Sequence, residues 1–208
     1  KKTEIIFDIK MDLLLKIRTF IKKQIIDIKT RGTQELFRKC YLLTKFFVLI
    51  LMDIIAIVPC IIIRLLSPWL IIRIGKIPAA NFGNFVEMTA EYYIKKKLKI
   101  DLPTKRYIDL VYIHYNDKIH NKQLAKMWKR KLNFLSGYLL DPINRVNKFI
   151  PGEKIHTIDS LLLYSYDYRL MVNNLPDGYQ VLDFTEEEEI YGRKMLNKFG
   201  LKDKDKFV

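Results

Sequence analysis

Apolar residues recur at the helical period near the start of the chain. They are Leu13, Leu14, Ile17, Phe20, Ile21, Ile25 and Ile28, and basic residues fill most positions between them. A spacing of three and four residues aligns such side chains on one face of an α-helix. The pattern therefore predicts a basic amphipathic helix over 9–29 that ends near Arg31 and Gly32. A helix of this kind either lies in a bilayer interface or packs on a domain, and the next segment favours the bilayer.

The most hydrophobic block is Phe46–Ile63, 18 residues with a single charge. This length is at the lower limit for a membrane span. Asp53 disfavours insertion by about 2.5–3.5 kcal/mol, and we expect Pro59 to kink the helix because it has no N–H to donate. The flanking basic residues are Arg38, Lys39 and Lys45 on one side, and Arg64, Arg73 and Lys76 on the other. Because both flanks are basic, we predict a re-entrant or monotopic segment, with a single span and a buried core helix as alternatives.

Beyond Pro68 the pattern changes to short β-rich segments that alternate with helical ones. Strands are predicted at 69–74 and 107–114, a short strand at 155–158, and helices at 84–98, 121–135, 142–149 and 186–199. Thr185 is a candidate N-cap and Gly200 a candidate stop for the last helix. Strands that alternate with helices predict an α/β domain with a largely parallel sheet.

The chain has 208 residues, which suits one domain with an appendage. We divide it into a basic amphipathic helical segment (1–45), a membrane-inserted or re-entrant helix (46–66) and an α/β domain (67–208). The first residue is Lys, and residues 206–208 read as the start of a strand. We therefore expect a fragment of a longer protein, with the α/β domain incomplete at its C-terminus.

Charge and cysteine content restrict the partners. The 37 Lys and Arg residues exceed the 23 Asp and Glu residues, which leaves a net charge of +14. Such a charge favours nucleic acid, an acidic lipid surface or a phosphorylated substrate. Nucleic acid is disfavoured because many of the basic residues border apolar segments and form no stripe with interleaved aromatics. Cys40 and Cys60 make no disulfide framework, and the three histidines have no ligand spacing, so we expect no metal site.

The strand–loop–helix unit over 69–98 is the strongest candidate for chemistry. Its loop contains Gly75 and Gly83, and its helix begins directly afterwards. Backbone N–H groups and the positive end of the helix dipole make the start of this helix a candidate phosphate-binding site, to which Arg73 and Lys76 add positive charge. The glycines are too far apart for a dinucleotide fingerprint, and there is no Walker loop. A plain strand-to-helix turn is the alternative.

Two acids follow in the same helix. Glu87 and Glu91 lie one turn apart and share a face near the loop. Contact with an acceptor is one use for them, and a salt bridge from Glu91 to Lys95 is the other.

Residues 73–98 resemble the start of a bacterial family assigned to glycosyl transfer in gene sets for O-antigen and other surface polysaccharides. The matching positions are Arg73, Ile74, Gly75, Gly83, Asn84, Phe85, Glu91 and Tyr92. An asparagine before a helix with a Met-Trp pair (121–128) and the ending 185–208 are also similar, so the likeness spans roughly 65–208. The family usually has His after the second glycine. Asn84 can hydrogen-bond a sugar or phosphate there but cannot act as a base.

The resemblance implies the Rossmann-like N-terminal half of a two-domain, GT-B-like glycosyltransferase on the cytoplasmic face of a bacterial inner membrane. It implies a nucleotide-sugar donor as substrate, a glycan or lipid-linked acceptor, and no separate cofactor. The candidate substrate- or phosphate-binding residues are Arg73, Gly75, Lys76, Gly83, Asn84, Glu87 and Glu91, and no catalytic residue is assigned. The alternative function is a non-catalytic, membrane-bound interaction module.

Two weaker signals remain. Asp203 and Asp205 spell the D-x-D of metal-dependent transferases, but within a charged run that favours a solvated loop. Tyr164, Tyr166 and Tyr168 alternate as in a strand, where packing and sugar stacking are both open uses.

Overall fold

The structure, a computed structural model, describes residues 2–158, 161, 175–176 and 178–201. Its elements are α1 (Lys2–Leu66), β1 (Ile71–Lys76), α2 (Phe82–Leu98), β2 (Tyr107–Tyr112), α3 (Lys122–Lys131), α4 (Gly137–Asn147), a 3-10 helix (Glu153–His156) and α5 (Glu186–Lys198). The chain divides into two compact units, Lys1–Ile54 and Ile55–Val208.

The first unit is a helix that reverses direction at Gly32. This glycine has φ 69° and ψ −157°, the one non-helical residue inside α1. Beyond it, Lys39 donates to the carbonyl oxygen of Gln24 at 3.1 Å and reaches Asp27 at 3.4 Å. Residues 15 apart in a straight helix would lie about 22 Å from each other, so the two arms must fold side by side. The predicted helix end at Arg31 and Gly32 is confirmed, and the helix begins earlier than predicted, at Lys2.

The second arm, 33–66, contains the apolar block. Its φ and ψ angles stay helical through Pro59, and the predicted kink there stays a prediction. Proline removes one hydrogen bond from a helix, and here the helix continues despite that loss. Whether the block is re-entrant, monotopic or a single span stays a prediction. Among the described residues, one helix is long and apolar enough to cross a membrane by length and composition.

The second unit is built on a parallel pair of strands. Within the described residues β1 and β2 pair from Ile71 and Tyr107 to Lys76 and Tyr112. Helix α2 is the crossover between them, as parallel pairing requires. Two strands do not amount to a Rossmann-like sheet, so the Rossmann-like, two-domain assignment stays a prediction.

Helices cover both faces of this sheet. On one face, α2 and α3 contribute Phe85, Tyr92 and Trp128 to a core that includes Val111. On the other face, the end of α1 and helix α4 pack on Ile74 and Tyr112. The residues of α1 in this second core are Ala56, Cys60 and Ile63. Their spacing of four and three residues places them on one helical face, so the last turns of α1 are part of the α/β unit.

Local signals explain most element boundaries. Asn81, Asn121, Ser136 and Thr185 each cap the helix that follows by accepting a backbone N–H, and Thr185 forms a full capping box with Glu188. Strand β1 starts two residues later than predicted, because the N–H groups of residues 69 and 70 still bond the carbonyl of Leu66.

The short strand predicted at 155–158 is wrong. Residues Glu153–His156 form a 3-10 helix, and only Thr157 makes an isolated parallel bridge, to Ile74. Helix α4 begins five residues earlier than predicted, at Gly137, because Ser136 caps it and Pro142 lies inside the helix rather than at its start.

Candidate functional site

The carboxyl ends of β1 and β2 meet at one edge of the sheet, where Lys76 pairs with Tyr112. Ligands of open α/β sheets bind in the crevice outside this edge. The residues after β2, from Ile113 to Asp117, form a cavity of about 670 Å³ there with the chain at 129–137. This edge is therefore the candidate site of the α/β unit.

His114 lies between two carboxylates at this edge. Its Nδ1 is 3.7 Å from Asp117, and its Nε2 is 3.6 Å from Asp141. The backbone N–H of Asn116 donates to Nδ1 at 3.2 Å, which assigns the ring proton of the neutral imidazole to Nε2. Lys76 forms an ion pair with Asp117 at 3.1 Å. The His114 ring is thus held by the Asn116 N–H and has a carboxylate near each of its two nitrogens.

We call this group the carboxyl-edge cluster; it consists of the residues Lys76, Tyr112, His114, Asp117, Asp141, Asn144 and Arg145. Helix α4 contributes the last three of them. Asp141 is buried, pairs with Arg145 and accepts from the Tyr112 hydroxyl at 3.1 Å. Asn144 donates to the same hydroxyl at 3.1 Å. Burial raises the pKa of Tyr112, so it stays protonated and keeps donating to Asp141. These bonds hold the Asp141 carboxylate in one position beside His114.

Three aromatic rings stack in a row, of which His114 and Tyr115 line the cavity. The rings of His114 and Tyr115 are 4.3 Å apart, and those of Tyr115 and Tyr138 are 4.7 Å apart. Tyr138 is 62% exposed. A Cβ on Gly137 would lie 2.2 Å from the carbonyl oxygen of Ile113, so only glycine lets α4 start this close to the chain leaving β2. The stack offers an exposed aromatic face to a planar or sugar ring.

The site residues predicted from sequence lie in three places: the carboxyl-edge cluster, the exposed start of α2 and the packed interior. Lys76 joins the carboxyl-edge cluster through Asp117. Gly83, Asn84 and Glu87 lie exposed in the first turns of α2, where the N–H of Asn84 donates to its own N-cap residue at 3.4 Å. They form an accessible helix start after β1.

Arg73 lies inside the sheet. It makes two hydrogen bonds to Asp109, its partner on β2, at 2.7 and 3.0 Å. The hydroxyl of Tyr92 on α2 donates to the same carboxylate at 2.7 Å, and Lys96 lies 3.2 Å from it. These contacts give Arg73 a role in joining β1, β2 and α2.

Gly75 and Glu91 also have packing roles. A Cβ on Gly75 would lie 2.6 Å from the side chain of Leu161, so a larger residue would push this layer away. Glu91 is buried and pairs with Lys95 at 2.8 Å, as the salt-bridge alternative predicted.

Sequence reasoning missed most of the carboxyl-edge cluster. His114 is the last residue of the predicted strand 107–114 and Asp117 lies three residues beyond it, so their position at a strand's carboxyl end was the available signal. Asp141 lies 27 residues beyond His114 on another helix, and no local pattern joins the two. Tyr164, Tyr166, Tyr168, Asp203 and Asp205 lie outside the described residues. Within the described ranges no three His, Cys, Asp or Glu side chains gather as a metal site requires.

Comparison with known proteins finds no relative of this chain. No protein-family model matches the chain, no curated protein matches it, and no solved structure matches it. The function therefore has to be argued from the site itself.

Proposed function

We propose that this chain is the acceptor-binding part of a membrane-associated glycosyltransferase that uses a nucleotide-sugar donor in surface polysaccharide synthesis. The observation that carries the proposal is His114, held between Asp117 and Asp141 at the carboxyl edge of a parallel α/β unit. The resemblance over 73–98 supports the reaction class. The charge of +14 and the apolar α1 support a location on the cytoplasmic face of an inner membrane.

The chemistry needs a base for the acceptor hydroxyl. In glycosyl transfer the hydroxyl oxygen attacks the anomeric carbon, the bond to the nucleotide diphosphate breaks, and the hydroxyl loses its proton. In this proposal the imidazole of His114 takes that proton. Asp117 is close enough to stabilise the resulting imidazolium, and Asp141 faces the opposite nitrogen.

The surroundings suit a sugar that carries phosphate. Tyr138 and Tyr115 provide an aromatic face for the acceptor ring beside His114. Lys76 and Arg145 place positive charge at the same edge, where a diphosphate gains stabilisation as it leaves. Gly83 and Asn84 add an exposed helix N-terminus after β1.

The test is transfer of labelled sugar from a panel of nucleotide-sugars by the full-length protein in membranes. We expect His114→Ala to lower kcat/KM by about 10²- to 10⁴-fold, the usual contribution of a positioned base. His120→Ala is the matched control, because His120 is exposed and its side chain is outside the cluster. Full activity of His114→Ala would overturn the assigned base. Absence of transfer and of nucleotide binding with every donor would favour the non-catalytic interaction module instead.

A further inference from the structure

A second cavity lies at the opposite edge of the sheet. Its volume is about 680 Å³, and Ile71, at the start of β1, forms part of its wall. The end of α2, the chain at 100–105 that leads into β2, and residues 154–158 form the rest. The proposed transfer reaction does not use it, because His114 and its partners lie at the carboxyl ends of the strands.

Positive charge dominates this cavity. The lining cations are Arg73, Lys95, Lys96, Lys105 and Lys154, and the lining carboxylate is Asp101. Buried Asp109 accepts from Arg73 and lies 3.2 Å from Lys96, and buried Glu91 pairs with Lys95. Lys105 and Lys154 are exposed and form no ion pair with any described residue. The cavity therefore keeps positive charge that its own carboxylates do not neutralise.

The cavity also adjoins the end of the apolar helix. Ser67 in its wall follows Leu66, the last residue of α1. The last turns of α1 expose Ile61, Ile62 and Leu65. Trp69 is 75% exposed just beyond them, and tryptophan is enriched where a bilayer meets water. A molecule with an anionic head and an apolar tail would find partners for both parts here.

We propose that this amino-edge cavity binds the phosphate of a membrane lipid, with Lys105 and Lys154 as its main ligands. Lysine binds phosphate as a point charge, and two residues that carry hydroxyl groups, Ser67 and Thr104, line the same wall. The acyl chain would run along the exposed face of α1 at 61–65. The proposal rests on the membrane placement of α1 proposed above, and it does not depend on glycosyl transfer.

Binding of short-chain lipids to the purified full chain in detergent tests the proposal. The probes are dioctanoyl phosphatidic acid, dioctanoyl phosphatidylcholine and inorganic phosphate, each titrated by calorimetry. We expect phosphatidic acid to bind more tightly than the other two. We expect Lys105→Ala/Lys154→Ala to weaken its binding about tenfold, because two charged contacts are lost.

Lys118→Ala/Lys122→Ala is the matched control, since these lysines are exposed, lie outside the cavity wall and leave the same net charge. Equal binding by the cavity variant and this control would overturn the site. Equal affinity for inorganic phosphate would assign the site to a soluble phosphate and overturn its lipid part. Because the readout is binding, loss of transfer in His114→Ala has no bearing on this result.

Discussion

Asp109 shows what a buried charge does at the scale of one residue. It is 2% exposed and contacts Arg73, Tyr92 and Lys96. Burial raises the pKa of its carboxyl, but hydrogen bonds from Arg73 and Tyr92 outweigh burial, so the pKa lies below its usual value near 3.8. Burial and the adjacent Asp109 carboxylate raise the pKa of Tyr92, which keeps its proton as a donor. The carboxylate is thus held charged where β1, β2 and α2 meet.

Replacing Asp109 with Asn should destabilise the fold and change its pH dependence. The variant leaves Arg73 without a counter-ion, and breaking one side of a buried pair costs about 3–5 kcal/mol. In the native chain the folded pKa is lowered, so this stabilisation is present above the unfolded pKa. It is lost as the pH falls through the folded pKa, below about 4. Urea unfolding between pH 3 and 7 measures both effects.

Asp101→Asn is the control for this variant. Asp101 is exposed, so the Asp101→Asn substitution should change the free energy of unfolding of the protein by less than about 0.5 kcal/mol. Equal stability of the two variants at pH 7 would show that the Asp109 pair contributes nothing to the fold.

At the scale of elements, the docking of α1 on α4 is the contact that sequence did not reveal. The Cys60 thiol lies 3.4 Å from the carbonyl oxygen of Ile143, and Cys60 is buried. Ala56 and Ile63 bury the same helical face. The other faces of these turns expose large apolar side chains. One face of the last turns of α1 therefore packs in the α/β core, and the other faces expose apolar side chains that lipid could contact.

Thiol labelling should detect this docking. Cys40 is exposed and Cys60 is buried, so a maleimide should modify one thiol per native chain in detergent and two after unfolding. Ile143→Ala should speed the labelling of Cys60 about tenfold or more, because removing a buried isoleucine costs about 2–5 kcal/mol and favours local opening. Leu139→Ala is the control, since Leu139 is exposed on the same helix α4. Rapid labelling of Cys60 in the native chain would contradict the docked helix.

Gly32 determines the shape of the first unit. Its φ and ψ fall in a region that glycine adopts readily and other residues enter at a cost of about 1–3 kcal/mol. Gly32→Ala should therefore favour a straight helix over the folded one. Spin labels at the exposed positions Thr19 and Thr44, with both native cysteines removed, report the change.

We expect the two labels to be well below 37 Å apart in the native background. In the variant the distance should move towards the roughly 37 Å that 25 residues span in a straight helix. Thr30→Ala, two residues away in the helix, should leave the distance unchanged. The same distance in Gly32→Ala and in the native background would show that Gly32 does not determine the bend.

At the scale of the whole molecule, charge and apolar surface together favour a bilayer. The net charge is +14, and the apolar window of α1 is only 17% buried. Few soluble proteins expose apolar surface on this scale without a partner that covers it. Bilayer contact along the exposed apolar faces of α1 is therefore expected, and the way in which α1 inserts stays a prediction.

Vesicle flotation measures this contact. Ile57→Gln/Ile61→Gln removes two exposed apolar side chains from α1, each worth about 1.5–3 kcal/mol when buried. We expect partitioning into vesicles with acidic lipid to fall by at least tenfold. Phe82→Gln/Phe199→Gln is the control, because these exposed aromatics lie on α2 and just after α5. An equal loss for both variants would show that the apolar faces of α1 have no special part in binding.

The sequence by itself determined what depends on near neighbours. The helical period, the Thr185 cap and the helix-ending tendency of Gly32 act over a few residues, so the helix end at Gly32 and most helices were predictable. The sequence placed Lys76 in the loop after the predicted strand 69–74, and the structure makes it the last residue of β1. The glycosyltransferase assignment rests on a short motif and stays a prediction.

Only the tertiary structure decided which of these parts meet. Arg73 meets Asp109 across 36 residues, and His114 meets Asp141 across 27. The parallel pairing of β1 with β2 brings the first pair together, and the docking of α4 against the end of α1 and the sheet brings the second. Burial and long-range pairing depend on the packing of the whole unit. For this reason the local pattern predicted that Arg73 binds a ligand, whereas in the folded sheet Arg73 pairs with buried Asp109. The same packing places His114 at the carboxyl edge, next to Asp141.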